Sequence, residues 1–113
     1  MLVVDDDPDI RQVLRLMLTD EGYDVELAAD GYEALEHVSR RRPDLVLLDL
    51  WMPGMDGWTL HGRLEQQAPD LPVAVMTAGR GPLAEAHRHR DAGYLAKPFD
   101  MDSFLRVVNG ILR

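Results

Sequence analysis

Residues 43–49 read Pro-Asp-Leu-Val-Leu-Leu-Asp. The run Leu45 to Leu48 is apolar at every position and is bounded by Asp44 and Asp49. A strand of that kind has no solvent face, so it must be covered on both sides, which is the habit of strands in parallel sheets flanked by helices. Val73 to Met76 is a second continuous apolar run, and Leu2-Val3-Val4, Val25-Glu26-Leu27-Ala28 and Tyr94-Leu95-Ala96 are three shorter strand candidates.

Between these runs the period changes to that of a helix. Asp7-Pro8 reads as an N-cap followed by proline at the first helical position. Ile10, Val13, Leu14 and Met17 follow at helical spacing, which predicts a helix to about Glu21 stopped by Gly22. Asp30 opens a second helix with Ala34, Leu35 and Val38, which Pro43 ends. A third starts near Asp56 with Leu60 and Leu64 four apart. A fourth helix is expected over about 81–90, with a weak apolar face (Leu83, Ala84, Ala86). The fifth has the clearest period: Met101, Phe104, Leu105, Val108, Ile111 and Leu112. Five strands alternating with five helices imply one α/β domain spanning 1–113, a doubly wound parallel sheet with right-handed crossovers.

Composition narrows the function. The chain has 113 residues, 46% hydrophobic and 28% charged, which suits one folded domain. Its net charge of −8 disfavours direct contact with nucleic acid or an anionic membrane. The absence of cysteine removes disulfides, thiolate metal sites and cysteine nucleophiles. No apolar stretch is long enough to span a bilayer, and the start Met-Leu-Val-Val-Asp-Asp-Asp is unlike a signal peptide, so a cytoplasmic location is expected. Lys97 is the sole lysine among 12 basic residues. A compact ammonium is not interchangeable with a guanidinium.

Ligands of open α/β sheets bind beyond the carboxyl ends of the strands. In this sequence the first strand is followed by Asp5, Asp6 and Asp7, the third ends at Asp49, the fourth at Thr77 and the fifth at Lys97. In a parallel sheet these side chains share one edge. Carboxylates gathered there repel unless a cation joins them. Mg²⁺ (with Mn²⁺ as the substitute) suits one or two carboxylates, waters and a phosphate. Carboxylates, a hydroxyl and an ammonium are the parts that stabilise a phosphoryl group in transfer.

These segments also carry a resemblance. Val-Asp-Asp-Asp-Pro (4–8), Pro-Asp-Leu-Val-Leu-Leu-Asp-Leu-Trp-Met-Pro-Gly-Met-Asp-Gly (43–57), Val-Met-Thr-Ala (75–78) and Tyr-Leu-Ala-Lys-Pro-Phe (94–99) together resemble the receiver domain of bacterial response regulators in two-component signalling. The resemblance implies a flavodoxin-like sheet of order 2-1-3-4-5, an order that belongs to the family rather than to any feature read above. It also implies that Asp49 is the phosphoacceptor, that Asp6 ligates Mg²⁺ directly and Asp5 through water, and that the backbone carbonyl of Trp51 is a further ligand. Thr77 and Lys97 would bind phosphoryl oxygens, Tyr94 would be the switch aromatic, and the Lys97–Pro98 peptide would be cis. The implied donor is a sensor histidine kinase or a histidine phosphotransfer protein. The implied readout is by a downstream effector or fused output domain, or a second copy of the chain, on the fourth helix, fifth strand and fifth helix. Such a chain is a switch, not an enzyme with turnover, and either stands alone or is cut from a longer protein.

Plainer readings compete at several positions. Asp7 and Asp56 read as helix caps rather than ligands, and Asp30 and Asp44 as turn residues. Arg40-Arg41-Arg42 reads as a solvated helix end, the His87–Arg90 run as a solvated face or a partner patch, and Trp58 as packing. The stretch from Thr77 to Lys97 is short for the family, and Arg90-Asp91 stands where Gly-Ala is usual, so an irregular fourth helix is expected. A Mg²⁺-dependent phosphohydrolase would want an acid two residues past its nucleophile, where Trp51 stands. A flavin-binding module would want a phosphate loop where the three aspartates stand. A receiver acting without phosphorylation remains the third alternative, set against the intact Asp49, Thr77 and Lys97.

Overall fold

The computed structural model describes residues 1–49, 54–77, 92–96 and 101–112. Among the described residues there are five strands: β1 (Leu2–Val4), β2 (Glu26–Ala28), β3 (Val46–Asp49), β4 (Val73–Thr77) and β5 (Ala92–Ala96). Among the described residues the helices are α1 (Pro8–Asp20), α2 (Gly31–Arg40), α3 (Gly57–Gln67) and α4 (Met101–Leu112), the last being the fifth helix expected from the sequence. The helix expected over 81–90 lies outside the described residues, as do Trp51, Lys97 and the Lys97–Pro98 bond.

All strand pairs are parallel, in the order β2-β1-β3-β4-β5. The apolar runs explain why. Side chains alternate across a strand, so a run with no polar position feeds both faces. Val46, Leu48, Val73 and Val75 join the core under α2 and α3, whereas Leu45, Leu47, Ala74 and Met76 join the core under α1 and α4. β1 divides in the same way, with Leu2 and Val4 on one side and Val3 on the other. Leu45 to Leu48 are wholly buried. At about 1.5–3 kcal/mol for each buried aliphatic side chain, this strand alone is a large share of the folding drive.

The caps are local and sequence-coded. Asp7 caps α1 by accepting from Asp9 N at 2.9 Å, Asp30 caps α2 from Glu33 N at 2.9 Å, and Asp56 caps α3 from Thr59 N at 2.8 Å. At its far end α1 closes in a Schellman motif, with Gly22 N bonding Thr19 O at 3.0 Å and Tyr23 N bonding Leu18 O at 3.1 Å. Gly22 has φ +92°, which an L side chain adopts only under strain.

Some boundaries and faces differ from expectation. α2 ends at Arg40, before Pro43, because Arg41 has turned to extended backbone. β5 starts at Ala92, two residues before Tyr94. Val13 is 54% exposed, while Leu18 is wholly buried. Val13 sits on the flank of the stripe formed by Ile10, Leu14, Met17 and Leu18, and three-residue spacing alone does not distinguish flank from centre.

Candidate functional site

The strand order changes direction between β1 and β3. β1 runs on into β2 on one side, while its other neighbour is β3. A crevice at such a switch point, outside the carboxyl ends of the strands, is where sheets of this type hold ligands. Asp5 and Asp6 leave β1 at that point and Asp49 is the last residue of β3.

The structure brings all three together. One carboxylate oxygen from each of Asp5, Asp6 and Asp49 lies within 4.8 Å of the others. Asp5 is fully buried, Asp49 is 6% exposed and Asp6 faces solvent. At 4.8 Å and an effective dielectric near 20, two like unit charges repel by about 3 kcal/mol. Solvent around Asp6 reduces its share. Burial leaves Asp5 and Asp49 less screened by water, so positive charge beside the cluster is favourable.

The donor set decides which cation fits. Carboxylate oxygens without histidine or cysteine suit a hard divalent ion such as Mg²⁺ or Mn²⁺ rather than a tetrahedral zinc site. An exposed Asp6 also leaves room for the waters that Mg²⁺ gives up reluctantly. The chemistry of the cluster therefore fits Mg²⁺.

The turn carrying Asp5 and Asp6 is tightly fixed. Asp5 Oδ1 accepts the Asp7 N–H at 2.9 Å, and the Asp5 N–H donates to Ala28 O at 3.2 Å. Asp7 is committed to capping α1, so the cap reading accounts for it without a ligand role. Asp49 is placed by the β3 ladder, paired with Met76 of β4.

Thr77 is the last residue of β4 and pairs with Ala96, the last residue of β5. It therefore stands one step beyond the residue facing Asp49, on the neighbouring strand. Tyr94 lies in β5 opposite Val75. Lys97, which follows Ala96 in the chain, and Trp51, two past Asp49, lie outside the described residues.

Other polar features do not join this edge. Trp58 is half-buried and packs on the core beneath α2 and α3. Arg40 is solvent-exposed and pairs with Glu36 at 3.3 Å, an interaction that contributes little. A cleft at the N-terminal ends of the strands has Arg41 and Arg42 in its lining beside Asp24, Glu26 and Asp44, so no single charge is focused there. Among the described residues, no helix is long and apolar enough to cross a membrane.

Two residues escaped the sequence reading. His61 is buried on α3, with Nδ1 3.2 Å from Glu65 and its ring tilted against Trp58 at 6.2 Å. Its position between Leu60 and Leu64 was the available signal. Arg11 reaches back from α1 to the Asp5 carbonyl at 2.6 Å. The sequence signal there is its place four residues after the Asp7 cap, one helical turn on.

Comparison with known proteins agrees with this geometry. The family model of the response regulator receiver domain matches residues 1–109. The response regulator MprA of Mycobacterium leprae (strain TN) is 45% identical over 116 residues, covering 100% of this chain and 50% of its own length. The chain thus spans about half the length of the curated relatives it matches. The crystal structure of the receiver domain of NtrX from Brucella abortus superposes with a TM-score of 0.90 at 36% identity, covering 98% of this chain and 96% of that one. Response regulator protein TrrA from Thermotoga maritima, solved in complex with Mg(2+)-BeF, superposes at 0.87 with 35% identity, over 98% and 96% of the two chains.

Proposed function

This chain belongs to the response regulator receiver domain family of two-component signalling, and from that premise we propose that residues 1–113 act as one phosphorylation switch with Asp49 as its phosphoacceptor. The observation that carries the reading is the convergence of Asp5, Asp6 and Asp49 within 4.8 Å at the switch point of the sheet.

The proposed donor is a phosphohistidine on a sensor histidine kinase or a histidine phosphotransfer protein. The Asp49 carboxylate attacks phosphorus, and the bond from phosphorus to the imidazole breaks with its electron pair returning to nitrogen. An acyl phosphate on Asp49 results. Burial at the end of β3 restricts this nucleophile, so less freedom remains to be lost on attack. Asp5, Asp6, Asp49 and the Trp51 carbonyl would hold Mg²⁺, or Mn²⁺ in its place, and the ion when bound neutralises charge on the phosphoryl oxygens. TrrA, a relative with a Mg(2+)-BeF complex, supports the assignment. Thr77 offers a hydroxyl and Lys97 an ammonium to the same oxygens.

Phosphorylation shifts the resting equilibrium only by as much as Thr77 and Lys97 hold the phosphoryl group better in one state. Tyr94 and Thr77 occupy neighbouring strands, which supports a route from the phosphoryl group to the surface of β5 and α4. A downstream effector, a fused output domain or a second copy would read that surface. The chain catalyses its own phosphoryl transfer and dephosphorylation, makes no direct contact with nucleic acid or membrane, and works in the cytoplasm.

Incubation with acetyl phosphate and Mg²⁺ tests the proposal. Intact mass should rise by one phosphoryl group in the wild type and stay unchanged in Asp49→Asn. A wild-type chain that gains nothing, or an Asp49→Asn variant modified to the same extent, overturns it.

A further inference from the structure

Among the described residues, three hydrogen bonds hold Asp5. Its N–H bonds the Ala28 carbonyl at 3.2 Å, its Oδ1 accepts from Asp7 N at 2.9 Å, and its own carbonyl accepts from Arg11 Nη1 at 2.6 Å. The first two partners are backbone groups that any sequence supplies. The third requires a long cationic side chain at position 11.

That side chain is placed to act on the turn itself. Arg11 is half-buried, and its N–H donates to the Asp7 carbonyl at 3.1 Å, so its backbone and its side chain both tie α1 to the β1–α1 turn. Asp5 is wholly buried, which limits how far water could replace a lost partner at its carbonyl. Hydrogen bonds from a charged donor are shorter and stronger than neutral ones. The charge has an opposite consequence as well: a guanidinium near a cation site repels the cation. Its presence is therefore informative, because on charge alone it would weaken binding.

We infer that Arg11 is a positioning residue for the acidic cluster, fixing the Asp5 carbonyl and with it the turn from which Asp5 and Asp6 present their carboxylates, and so setting the affinity for a divalent cation. The inference rests on the cation site of the proposed function. It assigns Arg11 no contact with the ion.

The test is calorimetric titration of MgCl₂ into the 113-residue chain as wild type, Arg11→Met and Arg11→Lys, with thermal unfolding of each in the absence of Mg²⁺. Arg11→Met keeps an apolar stem and removes donor and charge together. Its affinity should fall about tenfold, the lower range for removing an outer partner of a metal ligand. Arg11→Lys retains a cationic donor and should recover most of the affinity. An Arg11→Met chain that binds Mg²⁺ as tightly as wild type overturns the inference, even if it melts earlier, because Arg11 would then serve only the fold. Tighter binding overturns it too, since the charge would then outweigh the positioning. If Arg11→Met does not fold, Arg11→Gln carries the same expectation and the same refutation. A wild-type chain that takes up no Mg²⁺ overturns the cation site itself, and is thereby distinguished from a failure confined to Arg11.

Discussion

Asp5, just past β1, and Asp49, the last residue of the neighbouring strand β3, are both buried and bring carboxylate oxygens within 4.8 Å of each other. Like charges at that separation repel, and burial reduces the screening that water would supply. The site thus concentrates negative charge that a bound cation would offset.

Removing one charge should therefore stabilise the metal-free chain. Asp6→Asn takes away the solvent-facing member without opening a cavity. In EDTA it should raise stability by about 1 kcal/mol, or roughly 4 °C in melting temperature. Excess Mg²⁺ should close or reverse the gap, because the wild type gains binding energy that the variant lacks. Thermal denaturation with and without the ion checks this. A variant less stable than wild type in EDTA would contradict the repulsion argument.

Gly31, the first residue of α2, is a second pressure point. A Cβ built there falls 2.6 Å from Met55 Sδ and 3.1 Å from Met55 Cβ. Met55 is buried two residues before α3 begins. Gly31→Ala should cost about 1–3 kcal/mol in urea denaturation, the usual range for overpacking. Met55→Ala should also destabilise, yet the double variant should lose less than the sum of the two. Strict additivity would show that the two side chains do not compete for the same space.

Trp51 stands two residues past the proposed phosphoacceptor. A bulky indole at that position should screen an acyl phosphate from water, whereas a polar amide could orient one. Trp51→Asn should shorten the phosphorylated lifetime several-fold, measured as loss of the phosphoryl mass after acetyl phosphate is removed. A lifetime that does not shorten would remove Trp51 from the account.

Much of this architecture was legible in the sequence because its signals are local. The doubly apolar runs at Leu45–Leu48 and Val73–Met76 declare strands covered on both faces, and Asp7, Asp30 and Asp56 mark helix starts through hydrogen bonds that span only two or three residues. The acidic edge followed from topology once the strands were taken as parallel. Contacts set by packing were not legible. Val13 and Leu18 differ in burial through helix phase, Gly31 meets Met55 with α2 and β3 lying between them in the chain, and the reach of Arg11 to the Asp5 carbonyl depends on how α1 leaves β1. Tyr23 Oη bonds Asn109 Oδ1 on α4, a partner 86 residues away that no local pattern announces.

The most direct test of the central claim is uptake of Mg²⁺ by the wild type, by Asp5→Asn and by Asp49→Asn, followed by calorimetry at fixed ionic strength. The account predicts one site in the wild type and at least tenfold weaker binding in each variant, because each loses a charged oxygen from the cluster. A wild-type chain that binds no Mg²⁺, or variants that bind it as tightly as the wild type, would contradict it.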